Sequence, residues 1–320
     1  VGRRVEMSEL GEAVEHLNED KGRIFSISGD AGTGKSRLVE DFKATLDLRE
    51  IQWLEGHAYA YSQNIPYFPM IDMLNRVFHI KEGDPVESVR EKLESEIKNI
   101  VDNHKDVVPY VGGLYSLSYP EVEEVSPEFW KSRLQEAISA ILTGLAKRAP
   151  TVFFLEDLHW ADPSFVELLR RACLEMRQPA IVLCVYRPIF SLFKSHQVSN
   201  IGKLYHEMRL QDLSRSESQE MVQSLLKTEK VPSELQRFIQ DNMEGNPFDL
   251  EEAIKSLIES NTLVRDNGHW RVTKRIRETD ISVTIQGVIS ARVDRLERES
   301  KRILQEASVI GRSFYYEILK

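Results

Sequence analysis

Apolar residues recur at three- and four-residue spacing over Glu6–Asn18 (Met7, Leu10, Val14, Leu17), so the chain opens with an amphipathic helix. Gly22 breaks the pattern, and Arg23–Ser28 (RIFSIS) reads as a short strand that feeds the glycine-rich segment Gly29–Ser36. Arg37–Leu46 returns to helical spacing, Gln52–Tyr59 predicts a second strand, Asn64–Pro69 a loop fixed by two prolines, and Met70–Phe78 a helix. Glu82–Lys105 carries dense charge around Val86, Val89, Leu93, Ile97 and Ile100, an amphipathic helix with one solvated face. Pro127–Arg148 is a long helix with Trp130, Leu134, Ile138, Ile141, Leu142 and Leu145 on one side. Thr151–Leu155 and Ala180–Tyr186 are near-continuous apolar runs, as expected of strands buried on both faces of a parallel sheet, with helical Pro163–Arg177 between them. Tyr205–Leu210 alternates apolar and polar residues and reads as an outer strand.

Beyond Asp212 the strand signals nearly stop. Ser214–Lys227, Ser233–Met243 and Asp249–Ser260 predict three helices, each preceded by a polar or proline-containing break. Leu263–Val272 has Asn-Gly at its centre between apolar flanks, which predicts a hairpin. Ser282–Leu296 and Lys301–Ile310 are helical again. Strands alternating with helices predict an α/β fold with a three-layer parallel-sheet core, here residues 1–211. A helical domain at 212–262 and a third module at 263–320 follow.

Composition narrows the class. The 42 basic and 51 acidic side chains leave a net charge of −9, which does not favour wholesale attraction to nucleic acid or anionic lipid. The longest apolar run, Ala180–Tyr186, is far short of a membrane helix, and no charged-then-apolar leader opens the chain. Cys173 and Cys184 form no CxxC or Cys/His cluster and read as buried thiols of a reducing, cytoplasmic compartment. The start without Met and the end just after a helical pattern suggest a piece of a longer chain, with a truncated last module.

The chemistry concentrates in Gly29-Asp30-Ala31-Gly32-Thr33-Gly34-Lys35-Ser36, which fits G-x-x-x-x-G-K-[ST] between a strand and a helix. Glycines let successive backbone N–H groups face a β-phosphate, and the following helix start adds positive potential. Lys35 would neutralise β- and γ-phosphates, and the Ser36 hydroxyl would ligate Mg²⁺. An acidic residue at the end of a buried strand should complete such a site. Glu156 and Asp157 follow Val152–Leu155, Glu156 on the metal side and Asp157 as the base that polarises water. Arg187, at the tip of the next strand, could reach a γ-phosphate. No N-K-x-D tetrapeptide for guanine is present.

The phosphate loop, the string Leu155-Glu156-Asp157-Leu158-His159-Trp160-Ala161-Asp162-Pro163, Tyr186-Arg187-Pro188 and Gly245-Asn246-Pro247-Phe248 together resemble the signal-transduction ATPases with numerous domains (STAND), AAA+-related P-loop proteins. The resemblance spans essentially the whole chain. It is strongest to the modules found beside class III adenylyl or guanylate cyclase domains or in large LuxR-type regulators. It implies a P-loop NTPase core, a helical lid at 212–262 and a partial winged helix at 263–320, with ATP or ADP and Mg²⁺ as ligands. Residue by residue, Val1 and Arg3 resemble the leading motif near adenine and ribose, and Gly29 through Ser36 with Arg37 the phosphate-binding segment. Ser36 and Glu156 resemble the metal ligands, Arg187 the sensor arginine, and Pro247 the lid proline against adenine. The family more often has Asp at the Glu156 position.

These features point to a slow ATPase switch that acts on other domains of its parent chain, such as a cyclase or helix-turn-helix output domain or a repeat sensor, and that could assemble into nucleotide-dependent homo-oligomers. Cyclase activity would lie outside this segment. Two alternatives remain open: a module locked on ADP or ATP that barely turns over, and the core of a DNA-binding regulator. Against the last, Arg292–Arg302 alternates in sign as a solvated helix face does, so direct nucleic-acid binding by this segment is not expected. His159, beside Trp160, reads as a packing residue, and the remaining histidines show no metal-ligand spacing.

Overall fold

A computed structural model describes residues 1–17, 22–175, 178–276, 293 and 296–310 of the chain. Helix α1 (Arg4–Glu15) precedes β1 (Arg23–Ser28), α2 (Lys35–Thr45) and β2 (Gln52–His57). A helical layer follows: α3 (Phe68–Val77), α4 (Val86–Ile100), α5 (His104–Gly113) and α6 (Pro127–Arg148). Then come β3 (Thr151–Glu156), α7 (Pro163–Glu175), β4 (Ala180–Tyr186), α8 (Ser195–Ile201) and β5 (Tyr205–Arg209). The last described elements are α9 (Arg215–Leu226), α10 (Ser233–Asn242), α11 (Pro247–Glu259), the strands β6 (Leu263–Asp266) and β7 (His269–Val272), and α12 (Arg298–Ile310).

The chain divides into two compact units. The larger comprises residues 5–30 and 35–210; the smaller comprises residues 1–4, 31–34 and 211 onward. In the larger unit five parallel strands lie in the order β2-β3-β4-β1-β5. Every residue of β4 is buried. The two-residue strand period sends alternate side chains to opposite faces. Phe153, Leu155, Val182 and Cys184 join the core under α3–α7, whereas Val152, Phe154, Ile181 and Leu183 join Leu10, Leu38 and Phe42 of α1 and α2 on the other side. The result is a three-layer α/β sandwich of the P-loop NTPase type.

Helix α5 runs through Pro109 and ends in Gly112-Gly113, in a stretch to which the sequence pattern assigns no element. A side chain at Gly112 would strike the Tyr119 ring and one at Gly113 would touch Trp130, so these glycines are packing contacts rather than helix stops. The stretch read as one helix over Glu82–Lys105 breaks after α4, Val86–Ile100, and its last two residues begin α5.

In the smaller unit α9, α10 and α11 enclose Leu213, Val222, Leu226, Leu235, Ile239, Leu250 and Leu257. Ser214 and Glu217 form a reciprocal capping box at the start of α9. The hairpin turns at Asn267 (φ 46°) and Gly268 (φ 83°), the paired left-handed residues of a type I′ turn. It packs on the helices through Leu263 and Trp270, whose indole N–H donates to Leu226 O at 2.8 Å. Of the helix read at Ser282–Leu296 only residues 293 and 296 are described, and about half of the segment 263–320 read as a partial winged helix, Phe314 and Ile318 among it, lies outside the described residues. No described helix is long and apolar enough to cross a membrane. Cys173 and Cys184 are both buried and unbridged; burial pushes the Cys173 thiol up to about 12 and the Cys184 thiol well above its ordinary value.

Candidate functional site

Parallel strands deliver their C-terminal ends to one sheet edge, where the larger unit gathers its polar groups. Strand β1 runs out at Ser28 into the glycine-rich loop, and α2 begins at Lys35. Gly32 (φ 84°) and Gly34 (φ 87°) hold left-handed backbone that a side chain resists. The Lys35 ammonium folds beneath the loop and donates to Gly29 O at 2.8 Å and Asp30 O at 2.7 Å. Burial lowers its pKa; Asp157 opposes that most, Arg187 adds to it, and Asp30 and Glu156 oppose it further. Thus Lys35 feels every charged residue of the predicted site in this unit except Arg37.

Ser36 Oγ donates to Glu156 Oε1 at 2.6 Å, joining the loop to the end of β3 although β4 lies between β1 and β3. Asp157 follows in a left-handed conformation (φ 57°), which turns the chain out of the strand into the short 3₁₀ turn Leu158–Trp160. Its carboxylate is 45% exposed, accessible to water. Arg187 is exposed just beyond β4, ahead of Pro188. Arg37 instead pairs with Asp41 one helical turn away at 3.0 Å, on the outer surface of α2.

A second layer of residues orients Glu156, and sequence reasoning missed it. His57 ends β2 in direct register with Glu156, and its Nε2 lies 3.6 Å from Glu156 Oε2. Both the backbone N–H of His57 and its Nδ1 meet Asp72 Oδ2 at 3.0 Å, fixing the ring. Arg76, one turn along α3, stands 3.5 Å from Asp72 and 3.1 Å from Glu55. The β2–β3 pairing and the placement of α3 beside the end of β2 bring these distant positions together. Among the described residues no group of three or more His, Cys, Asp or Glu side chains forms a metal cluster.

His159 packs against Trp160 with ring centroids 5.0 Å apart and a side chain 1% exposed. Its ring nitrogens have no hydrogen-bond partner among the described residues. Burial lowers its pKa, against the pull of Asp157. Asp162 of the same string is structural: its Oδ1 caps α7 by accepting from Ser164 and Phe165, and its Oδ2 accepts from Tyr67 N at 2.8 Å.

In the smaller unit the loop tip, Ala31–Gly34, is held by its carbonyls. Asn246 Nδ2 donates to Ala31 O at 3.0 Å, Phe248 N to Gly32 O at 3.2 Å, and Arg3 Nη2 to Thr33 O at 3.1 Å. Arg3 also donates to Gln211 O. The guanidinium is therefore engaged with backbone carbonyls. Pro247 is the first residue of α11, behind the capping residue Asn246, and Val1 is 57% exposed.

A family model described as an AAA ATPase domain matches residues 1–185, and one described as a domain of unknown function matches residues 214–271. An uncharacterized protein of Rhizobium meliloti (strain 1021) is 22% identical over 194 residues, 60% of this chain and 19% of that protein. The chain thus spans about a fifth of the length of the curated relative it matches. Similar solved structures include a STAND protein with a tetratricopeptide repeat sensor from Pyrococcus horikoshii, at 14% identity and TM-score 0.46, over 100% of this chain and 36% of that one. Another is the Aeropyrum pernix ORC1 protein in complex with DNA, at 13% identity and TM-score 0.45, over 95% and 70%. A third is Drosophila ORC bound to DNA, at 13% identity and TM-score 0.48, over 95% and 66%. With a strand–phosphate loop–helix unit, an acidic strand end beside it and a family match over more than half of its length, the chain belongs to the AAA ATPase domain family.

Proposed function

We propose that this AAA ATPase module binds ATP or ADP with Mg²⁺, hydrolyses ATP slowly, and serves as the nucleotide-dependent switch of a longer STAND-type signalling protein. The observation that carries the reading is the 2.6 Å bond between Ser36 and Glu156, formed across an intervening strand beside the buried Lys35. A hydroxyl and a carboxylate are hard oxygen donors of the kind Mg²⁺ takes. A Cβ built on Gly34 meets nothing within 4 Å, so that side of the loop has room for phosphate oxygens. The residues present therefore fit both ligands.

When bound, ATP·Mg²⁺ supplies the phosphoanhydride and the cation that offsets its charge. Lys35 would trade its loop carbonyls for phosphate oxygens, and Ser36 and Glu156 would turn their facing oxygens to the cation. Asp157, water-accessible and in the field of Lys35, would orient a water and accept its proton at a carboxylate oxygen. Arg187 would balance charge that grows on the phosphoryl oxygens. Val1, Arg3 and Pro247 would border the base. Domains at 1–211, 212–262 and 263–320, outputs elsewhere in the parent chain, homo-oligomer formation and a cytoplasmic setting complete the proposal.

The test is the nucleotide content of the purified chain, released by denaturation and resolved by anion exchange, with Lys35→Ala as comparison. ADP or ATP bound one to one and lost in the variant supports the reading. Turnover of added ATP that Asp157→Asn abolishes supports hydrolysis, and retention of ADP without turnover favours the locked module. Failure to bind any adenine nucleotide refutes the function.

A further inference from the structure

Three consecutive carbonyls of the loop tip, those of Ala31, Gly32 and Thr33, each accept a hydrogen bond from elsewhere in the smaller unit: from Asn246 Nδ2, Phe248 N and Arg3 Nη2. A trans peptide is planar, with its C=O and the next residue's N–H pointing in opposite directions. Fixing these three carbonyls therefore fixes the N–H groups of Gly32, Thr33 and Gly34 on the reverse side. Successive N–H groups aimed one way form an anion-binding nest. We infer that Asn246 and Arg3 are positioning residues that hold the loop tip in its phosphate-accepting shape. This inference rests on the nucleotide-binding reading and assigns both side chains a role in affinity without contact to phosphate.

Asn246 uses both ends of its amide. Oδ1 accepts from Phe248 N at 3.1 Å, capping α11, while Nδ2 reaches Ala31 O. The approach is close: a Cβ on Gly32 would strike Asn246 Oδ1 and lie 2.9 Å from Phe248 Cβ. Gly32 thus serves two demands, left-handed backbone and room for the amide that holds it. Aspartate and serine are also good helix caps, but neither offers a donor to Ala31 O. That difference separates the two duties of Asn246. Arg3 works by its fork, one guanidinium nitrogen serving Thr33 O and Gln211 O. Lysine at this position keeps the charge and loses the planar donor array.

The experiment measures Mg·ADP affinity by titration calorimetry for the 320-residue chain and for Asn246→Asp, Asn246→Ser, Asn246→Ala and Arg3→Lys. Melting temperatures without nucleotide and amide exchange of the Gly32–Gly34 segment are recorded in parallel. One lost hydrogen bond that orders the nest predicts about tenfold weaker ADP binding. Asn246→Asp and Asn246→Ser should show it at unchanged melting temperature, with faster exchange at the loop tip. Wild-type affinity in both of those variants overturns the inference, and so does weakening confined to Asn246→Ala, which would assign the effect to the helix cap. If the wild-type chain itself binds no ADP, the nucleotide-binding reading and this inference fall together; if it binds and Lys35→Ala does not, only the variants decide.

Discussion

Ser36 and Glu156 share a hydrogen bond of 2.6 Å from opposite sides of β4, and His57 stands 3.6 Å behind the other oxygen of that carboxylate. Glu156 is thus hydrogen-bonded at one oxygen and flanked by an imidazole at the other, which gives a side chain longer than aspartate a defined position. Glu156→Gln retains the reach and removes the charge. The Mg²⁺ concentration needed to support nucleotide binding should rise about tenfold, the scale of one charge-assisted contact, while binding in excess chelator stays unchanged. Mg²⁺ titration against a fluorescent ADP analogue measures both; equal midpoints would remove Glu156 from the metal role.

Asp72 supplies the pH dependence. Burial works to raise its carboxyl, but the His57 hydrogen bonds and the Arg76 charge outweigh burial and hold it below the ordinary value. A depressed carboxyl stabilises the fold above its unfolded pKa of about 3.9, and that contribution is lost as pH falls through the lower folded value. Asp72→Asn should cost about 1–2 kcal/mol at pH 7, and the difference from wild type should close below about pH 4. Urea unfolding of both proteins from about pH 7 to about pH 3 checks the sign; a difference that widens on acidification contradicts it.

Arg187, just beyond β4, is exposed, and its charge presses on Lys35. Under the proposed function it acts on developing phosphoryl charge rather than on ground-state binding. Arg187→Ala should lower single-turnover ATP hydrolysis about 100-fold, as loss of one preorganised donor does elsewhere, and change ADP affinity less than about threefold. An equal loss in both quantities would make it a binding residue.

Two glycines predict opposite outcomes for the same substitution. Gly11 lies inside α1, where an added Cβ would meet nothing within 4 Å, so Gly11→Ala should stabilise by about 0.5–1 kcal/mol through helix propensity. Gly144 lies inside α6, where a Cβ would meet the Ile100 carbonyl at 2.5 Å and its Cγ2 at 2.7 Å. Gly144→Ala should destabilise by about 1–3 kcal/mol as α4 and α6 are forced apart. Chemical denaturation midpoints distinguish them, and shifts of the same sign would contradict the packing described.

The parts of the fold legible in the sequence are those whose apolar pattern matches their burial. β1, at Arg23–Ser28, and β4, at Ala180–Tyr186, occupy the residues their apolar runs predict, and α6 begins and ends where its periodicity does. The phosphate loop is legible because its glycines answer a local backbone demand. Helix α5 is not: Pro109 and Gly112-Gly113 interrupt helical spacing, so no element is read there, and packing against Tyr119 and Trp130 accounts for the glycines. His57, Asp72 and Asn246 escape for another reason. Each acquires its partner through topology: β2 against β3, α3 beside the end of β2, and the start of α11 at the loop tip. No spacing along the chain encodes those meetings.

The strand order also sets when the molecule can be completed. β1 leaves the ribosome well before its two neighbours, residues 180–186 and 205–209. A nascent chain that ends at Pro150 carries both β1 and β2 with no strand to pair, because the partner of β2 begins at Thr151. Closing such long loops adds entropic cost and slows folding. Gly29–Ser36 therefore gains a fixed shape only after the ribosome has delivered most of the larger unit, and an early-terminated product is an aggregation hazard rather than a working miniature.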